Sequence, residues 1–179
     1  MPNYDFAIYG FWSLIIFGTW LGGRHLVGGP IPAWIPSVAF GAAILVLFHH
    51  LIVYLNMKGI SQSGSGVVLK FAKFGFAAYL LSAVVDATFA LRGLAAVTQF
   101  TLFQEAQWQL SLGAFSLIMF AALYYMAPRI AGAAWPSSGL VRGHYLASII
   151  GFVVLIVSLA VAGWQQGRAL NDASISFET

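Results

Sequence analysis

The sequence predicts an all-α protein, a single transmembrane domain over residues 1–179 built from five membrane-spanning helices. Three observations carry this. The chain is 60% hydrophobic and only 7% charged, with a mean hydropathy of +0.87, more apolar surface than a soluble domain of this length can bury. Five apolar runs are each long enough to cross ~30 Å of hydrocarbon, which takes about 20 residues. Short segments rich in Gly, Pro and Ser separate those runs, and no repeat or soluble domain interrupts them.

The spans fall at 8–27, 33–56, 67–91, 103–128 and 143–165. The first has no basic segment before it and no small-residue cleavage site after it, so it reads as a retained helix and not a signal peptide. Gly28-Gly29-Pro30-Ile31-Pro32 turns the chain into the second. Gly59 to Gly66, alternating with Ser61, Ser63 and Ser65, forms a flexible turn into the third. The segment from Pro128 to Gly139, with Pro136-Ser137-Ser138, divides the fourth from the fifth. Trp34, Trp135 and Trp164 sit near span ends, where an aromatic belt places them.

Five spans put the two termini on opposite sides. With the N-terminus cytoplasmic, Lys58, Lys70, Lys73, Arg129 and Arg142 fall inside, and Arg24, Arg92 and Arg168 outside. This sign of the basic bias predicts an N-in, C-out orientation. The eight basic residues are scattered singly, so no nucleic-acid surface is expected. The chain has no cysteine, which excludes disulfides, iron–sulfur clusters and thiolate zinc sites.

Several motifs carry a resemblance. Tyr9-Gly10-Phe11-Trp12-Ser13-Leu14-Ile15-Ile16 is followed by Gly22-Gly23-Arg24-His25 and Pro32-Ala33-Trp34-Ile35-Pro36. Farther on come Thr98-Gln99-Phe100-Thr101, Glu105-Ala106-Gln107-Trp108-Gln109, and Ala121-Ala122-Leu123-Tyr124-Tyr125-Met126-Ala127-Pro128-Arg129. Gly143-His144-Tyr145-Leu146-Ala147 and Val161-Ala162-Gly163-Trp164-Gln165-Gln166-Gly167 close the set. In order and spacing these resemble the catalytic subunit I of haem–copper oxidases, in particular the C family (cbb type) and the related nitric-oxide reductases. The likeness covers almost the whole chain and corresponds to the seventh to eleventh of the family's twelve core helices, so the chain looks like a truncated relative.

The resemblance also implies where ligands should stand. At the adjacent histidines that bind copper in the family, this chain has Arg24 and His25. A guanidinium offers no lone pair, so copper is not expected. The positions of the family's haem-binding His-x-His read Gln107 and Gln109, or Ala106 and Trp108 in the neighbouring register, and Gln99 replaces an earlier histidine. Carboxamides are poor axial ligands beside imidazole. No haem is therefore expected at these sites, and no oxygen reduction by this chain.

His49 and His50, inside the second span, are features of this chain and not of the resemblance. Ionisable groups within a membrane are costly and are functional candidates. Neighbouring helical residues point about 100° apart, so at most one of the two can contact a haem b or a quinone. In the other reading each imidazole bonds a neighbouring helix or subunit. Arg24 and Asp86, both toward the outer end, either form an ion pair or leave Arg24 snorkelling to the interface. His144 is expected to be structural, at the opposite interface.

The expected role is therefore that of a non-catalytic accessory subunit in a respiratory or photosynthetic electron-transfer complex, not an enzyme by itself. The resemblance places it in a bacterial cytoplasmic membrane with its C-terminus periplasmic, among other integral membrane subunits and lipid. A haem b- or quinone-contacting subunit using His49 or His50, and one half of a split oxidase, are the alternatives. Ser111, Gly113 and Ser116 on the fourth span, with Ser148, Gly151 and Ser158 on the fifth, are the small residues expected to meet helices of other chains.

Overall fold

The computed structural model describes residues 3–26, 29–58 and 66–174; the side chains of Arg24 and His25 lie outside what it describes. The architecture is all-helical among the described residues. Five helices are long and apolar enough to cross a membrane. In chain order the helices are α1 (Tyr4–Gly18), α2 (Trp34–Met57), α3 (Val67–Phe89), a short α4 (Arg92–Thr98), α5 (Leu102–Ala131) and α6 (Ser138–Leu170). A 3-10 segment, Leu21–Leu26, follows α1.

Local chemistry sets the helix ends. Asn3, Thr101 and Ser137 are N-caps whose side chains accept from the backbone N–H of Asp5, Phe103 and Leu140. Gly132 ends α5 in the left-handed region (φ 63°), donating to the Pro128 carbonyl, a conformation that glycine adopts without steric cost. Pro128 thus lies within the last turn of α5 and does not end it. The first apolar run is not one continuous helix either, because it tightens into the 3-10 segment after Gly18. The fifth helix starts at Ser138 and ends at Leu170, longer at both ends than the 143–165 run. Hydropathy measures apolar length, whereas the helix continues as far as its hydrogen-bond ladder does.

Successive helices run antiparallel. α1 packs on α2, α2 on α3, α3 on α5 and α5 on α6, with α4 tucked against the far end of α6. The buried hydrophobic residues are mostly alanines, among them Ala39, Ala42 and Ala43 on α2, Ala78 and Ala83 on α3, and Ala106, Ala114 and Ala121 on α5. Small side chains let backbones approach, which is how helices gain contact in a solvent as apolar as themselves. Gly75 takes this furthest between α3 and α5, where an added Cβ would sit 3.0 Å from the Ala114 carbonyl oxygen. Among the described residues Phe71 is the one large side chain that is fully buried, packed on Leu117 and Ala121.

At one end of the bundle, Arg92 on α4 donates to the Ser37 hydroxyl and to the Ala33 carbonyl of α2. At the same end, Phe89, Phe103 and Trp164 bring α3, α5 and α6 together. At the other end Tyr124 of α5 meets His144 of α6, hydroxyl to Nδ1, at 2.9 Å. Gly113, expected to face another chain, lies under the Phe152 ring of α6 and is used within this one. Gly151, Ser111 and Ser158 remain exposed.

Candidate functional site

The adjacent histidines of α2 have different surroundings. His49 is 7% exposed and faces α1 and α3 together. Gly10 makes this approach feasible, since a Cβ there would come within 3.3 Å of Ile52 and 3.8 Å of His49 itself. The His49 Nδ1 lies 2.7 Å from the Gly10 carbonyl oxygen and its Nε2 lies 2.8 Å from the Tyr79 hydroxyl. A carbonyl can only accept, so Nδ1 carries the hydrogen. In the neutral ring Nε2 is then the acceptor, and the Tyr79 O–H donates to it. Both nitrogens are engaged, and the imidazole ties three helices together.

His50 points elsewhere. Its Nδ1 donates back along α2 to the Val46 carbonyl at 2.9 Å. Its ring lies 4.4 Å from that of Tyr79, tilted by 30°. The residue lines a cleft of about 530 Å³ among α1, α2, α3 and α5. Tyr79, Ser82 and Asp86 supply the polar wall on α3, and Ser111 that on α5. The structure therefore assigns the two histidines different environments: His49 to helix packing and His50 to an open space.

The positions that the resemblance marks as haem-ligand sites lie at the Arg92 end. Gln99 follows α4, and Phe100, held at φ 61°, turns the chain into α5. Gln99 and Gln107 then line one small cavity with Asp86, Thr98 and Gln104. It accommodates about 20 Å³, enough for roughly one water molecule. Gln109 lies two residues on, about 200° round the helix, and does not line that cavity. In the neighbouring register Ala106 is buried and Trp108 is 53% exposed. Carboxamides around a water-sized space do not fit a haem. Asp86 lines this cavity and the cleft alike. The Arg24 half of the expected Arg24–Asp86 pair and the place of His25 fall on side chains outside what the structure describes. No group of three or more His, Cys, Asp or Glu is placed to hold a metal among the described residues.

One family model matches the chain almost from end to end. The model for cytochrome c and quinol oxidase polypeptide I covers residues 2–178. The chain belongs to that family. A curated relative, the cytochrome c oxidase subunit 1 homolog of Agrobacterium tumefaciens (strain T37), is 23% identical over 176 residues. The alignment takes in 92% of this chain and 32% of the relative, so the chain spans about a third of that protein's length. As a member of the polypeptide I family, it presents glutamine at Gln99 and Gln107, where the resemblance calls for ligands.

Sequence reasoning missed two of the residues that shape the site. Tyr79 was not identified as the partner of His49, although Tyr79, Ser82 and Asp86 at i, i+3 and i+7 form a polar stripe on one face of α3. Gly10 gave no signal, because only its opposition to His49 distinguishes it from the other glycines.

Proposed function

We propose that this chain is a non-catalytic, membrane-embedded subunit of a larger electron-transfer complex, respiratory or photosynthetic, built on a polypeptide I framework of cbb type without working haem or copper sites. One observation carries the reading: Gln99 and Gln107 line a half-open space of about 20 Å³ with Asp86, Thr98 and Gln104. A pocket of that size, lined by carboxamides among apolar groups such as Phe89, Ala90 and Ala95, supports helix packing and a bound water, not redox chemistry. Arg24 at a copper-ligand position points the same way. The exposed apolar lengths of α6, including Leu146, Ile150, Val154 and Val161, leave room for helices of other subunits and for lipid. The cytoplasmic membrane of a bacterium, with the N-terminus inside, fits the basic-residue bias.

The test is isolation from native membranes in mild detergent. Other integral membrane proteins are expected to co-purify, and deleting the chain should weaken the host's assembly while its cofactor spectrum stays largely intact. A pyridine haemochrome signal stoichiometric with this chain, lost on changing Gln107, would replace the reading with a split oxidase completed by a second polypeptide.

A further inference from the structure

Where α3 and α6 begin, cations outnumber acids. Lys58, Lys70, Lys73, Arg129 and Arg142 stand at that end of the bundle, and the carboxylate that shares it, Asp5, opens α1, which packs on α2. Arg129 is engaged: its guanidinium lies 3.5 Å from the centre of the Tyr125 ring and donates to the Tyr125 carbonyl. Among the described residues, no hydrogen bond or ion pair engages the side chains of Lys58, Lys70, Lys73 or Arg142, and all four residues are exposed.

Two contacts between α3 and α6 fix where three of these cations lie. Phe71 meets Tyr145 edge-on at 5.0 Å, and Phe74 meets Phe152 at 6.2 Å, so the two helices run parallel, side by side. Residues three or four apart stack on one helix face. Lys70 therefore sits above Phe74 on the α6 side of α3, and Arg142 above Tyr145 on the α3 side of α6. Lys70 precedes Phe71 by one residue and Arg142 precedes Tyr145 by three, so at ~1.5 Å per residue their levels differ by about 3 Å. Lys73 follows Lys70 on the same outer edge. Cα–Cβ bonds tilt toward a helix N-terminus, which here is the membrane surface, so the three stems lead toward the headgroup layer. Beneath them both edges of the seam are apolar. Ala77 and Leu81 continue from Lys70 at i+7 and i+11, and Leu146 and Val153 from Arg142 at i+4 and i+11, all exposed.

We propose that the seam between α3 and α6 binds one anionic phospholipid, its phosphate held by Lys70, Lys73 and Arg142 and its acyl chains lying along Ala77, Leu81, Leu146 and Val153. Charge decides the headgroup class. A net negative lipid neutralises a cluster that no carboxylate of this chain balances, whereas a zwitterionic one brings an ammonium of its own. The apolar edges favour a lipid over a free phosphate. A helix of another subunit would have to carry carboxylates to this depth, where they are costly. None of this depends on whether the chain is catalytic.

The experiment mixes the full chain, delipidated in dodecyl maltoside, with equimolar phosphatidylglycerol and phosphatidylcholine of identical acyl chains. Native mass spectrometry then counts the lipid that each chain retains. One phosphatidylglycerol should be kept, with a preference of about tenfold over phosphatidylcholine. Lys70→Gln combined with Arg142→Gln, both at exposed positions, should reduce the preference to about twofold or less. Lys58→Gln removes a cation at the same end but off the seam, and should leave the preference unchanged. An equal loss in Lys58→Gln would show a diffuse attraction for anions and overturn the site. Equal retention of the two lipids, or retention of neither, overturns it without reference to any variant. Glycerol phosphate displacing the lipid at equal concentration would show a free-phosphate site and overturn the lipid assignment.

Discussion

The His49 Nε2 accepts the Tyr79 hydroxyl at 2.8 Å while its Nδ1 donates to Gly10, so one buried ring spans α1, α2 and α3. An intramembrane histidine, costly when unpaired, is here a cross-link without a covalent bond.

Tyr79→Phe removes one hydrogen bond and leaves Nε2 without a donor, and it should lower stability by about 1 kcal/mol. That figure follows the measured scale for bonds between membrane helices, ~0.6 on average and ~1.7 at most. His49→Leu should cost more, about 2 kcal/mol, because it removes both bonds of the ring and leaves the half-buried Tyr79 hydroxyl without its acceptor. Unfolding in mixed detergent would measure both. The double variant should cost less than the sum of the two, and strict additivity would show that the bond contributes nothing.

Gly163 and Gly167 on α6 face backbone directly: a Cβ at Gly163 would overlap Leu102–Phe103, and one at Gly167 the Val97 carbonyl. Backbone cannot rotate away as a side chain can. Gly163→Ala and Gly167→Ala should each destabilise by about 1–3 kcal/mol, the usual cost of overpacking. Gly143 and Gly151 on the same helix have open space around them, and their alanine variants should melt within about 0.5 kcal/mol of the parent. Four thermal melts separate the two classes, and a ranking in the reverse order would contradict the packing described.

Restoring imidazoles at the glutamine positions should not restore a cofactor site. Gln99→His combined with Gln107→His supplies nitrogen ligands, but the space between them is about 20 Å³. Reconstitution with haem b is expected to give no Soret band above that of the parent chain. A stoichiometric, redox-active band would mean that the cavity expands to admit the porphyrin.

Lys58, Lys70, Lys73, Arg129 and Arg142 stand at one end of the antiparallel bundle and Arg92 and Arg168 at the other. Reporters fused after Gly64 and after Asp172 should therefore report opposite compartments, with the Gly64 site cytoplasmic. Identical signals would contradict a five-span topology, and opposite signals of the reverse sense would invert the orientation.

The spans were legible because apolar length is a one-dimensional property of the chain. Their ends were less so: Gly132, and not Pro128, stops α5, and the α4 turn at Arg92–Thr98 carries too few residues to show a period. The 100° between His49 and His50 revealed that they diverge but not which faces inward. That choice rests on Gly10 and Tyr79, both remote in sequence. Gly113 was read as an outward contact because smallness in a helix identifies a close approach without naming the neighbour, which is Phe152. The glutamines at 99 and 107 were readable one by one, whereas their convergence on a water-sized space depends on the turn at Phe100.

Hydrogen bonds tie α2 to the helices that follow it, His49 with Tyr79 along their lengths and Ser37 with Arg92 at one end. Mechanically these set a hinge line. The α1–α2 hairpin is braced near Arg92 and pinned at Tyr79, so a sideways load applied at the Lys58 end acts through the longest lever arm available.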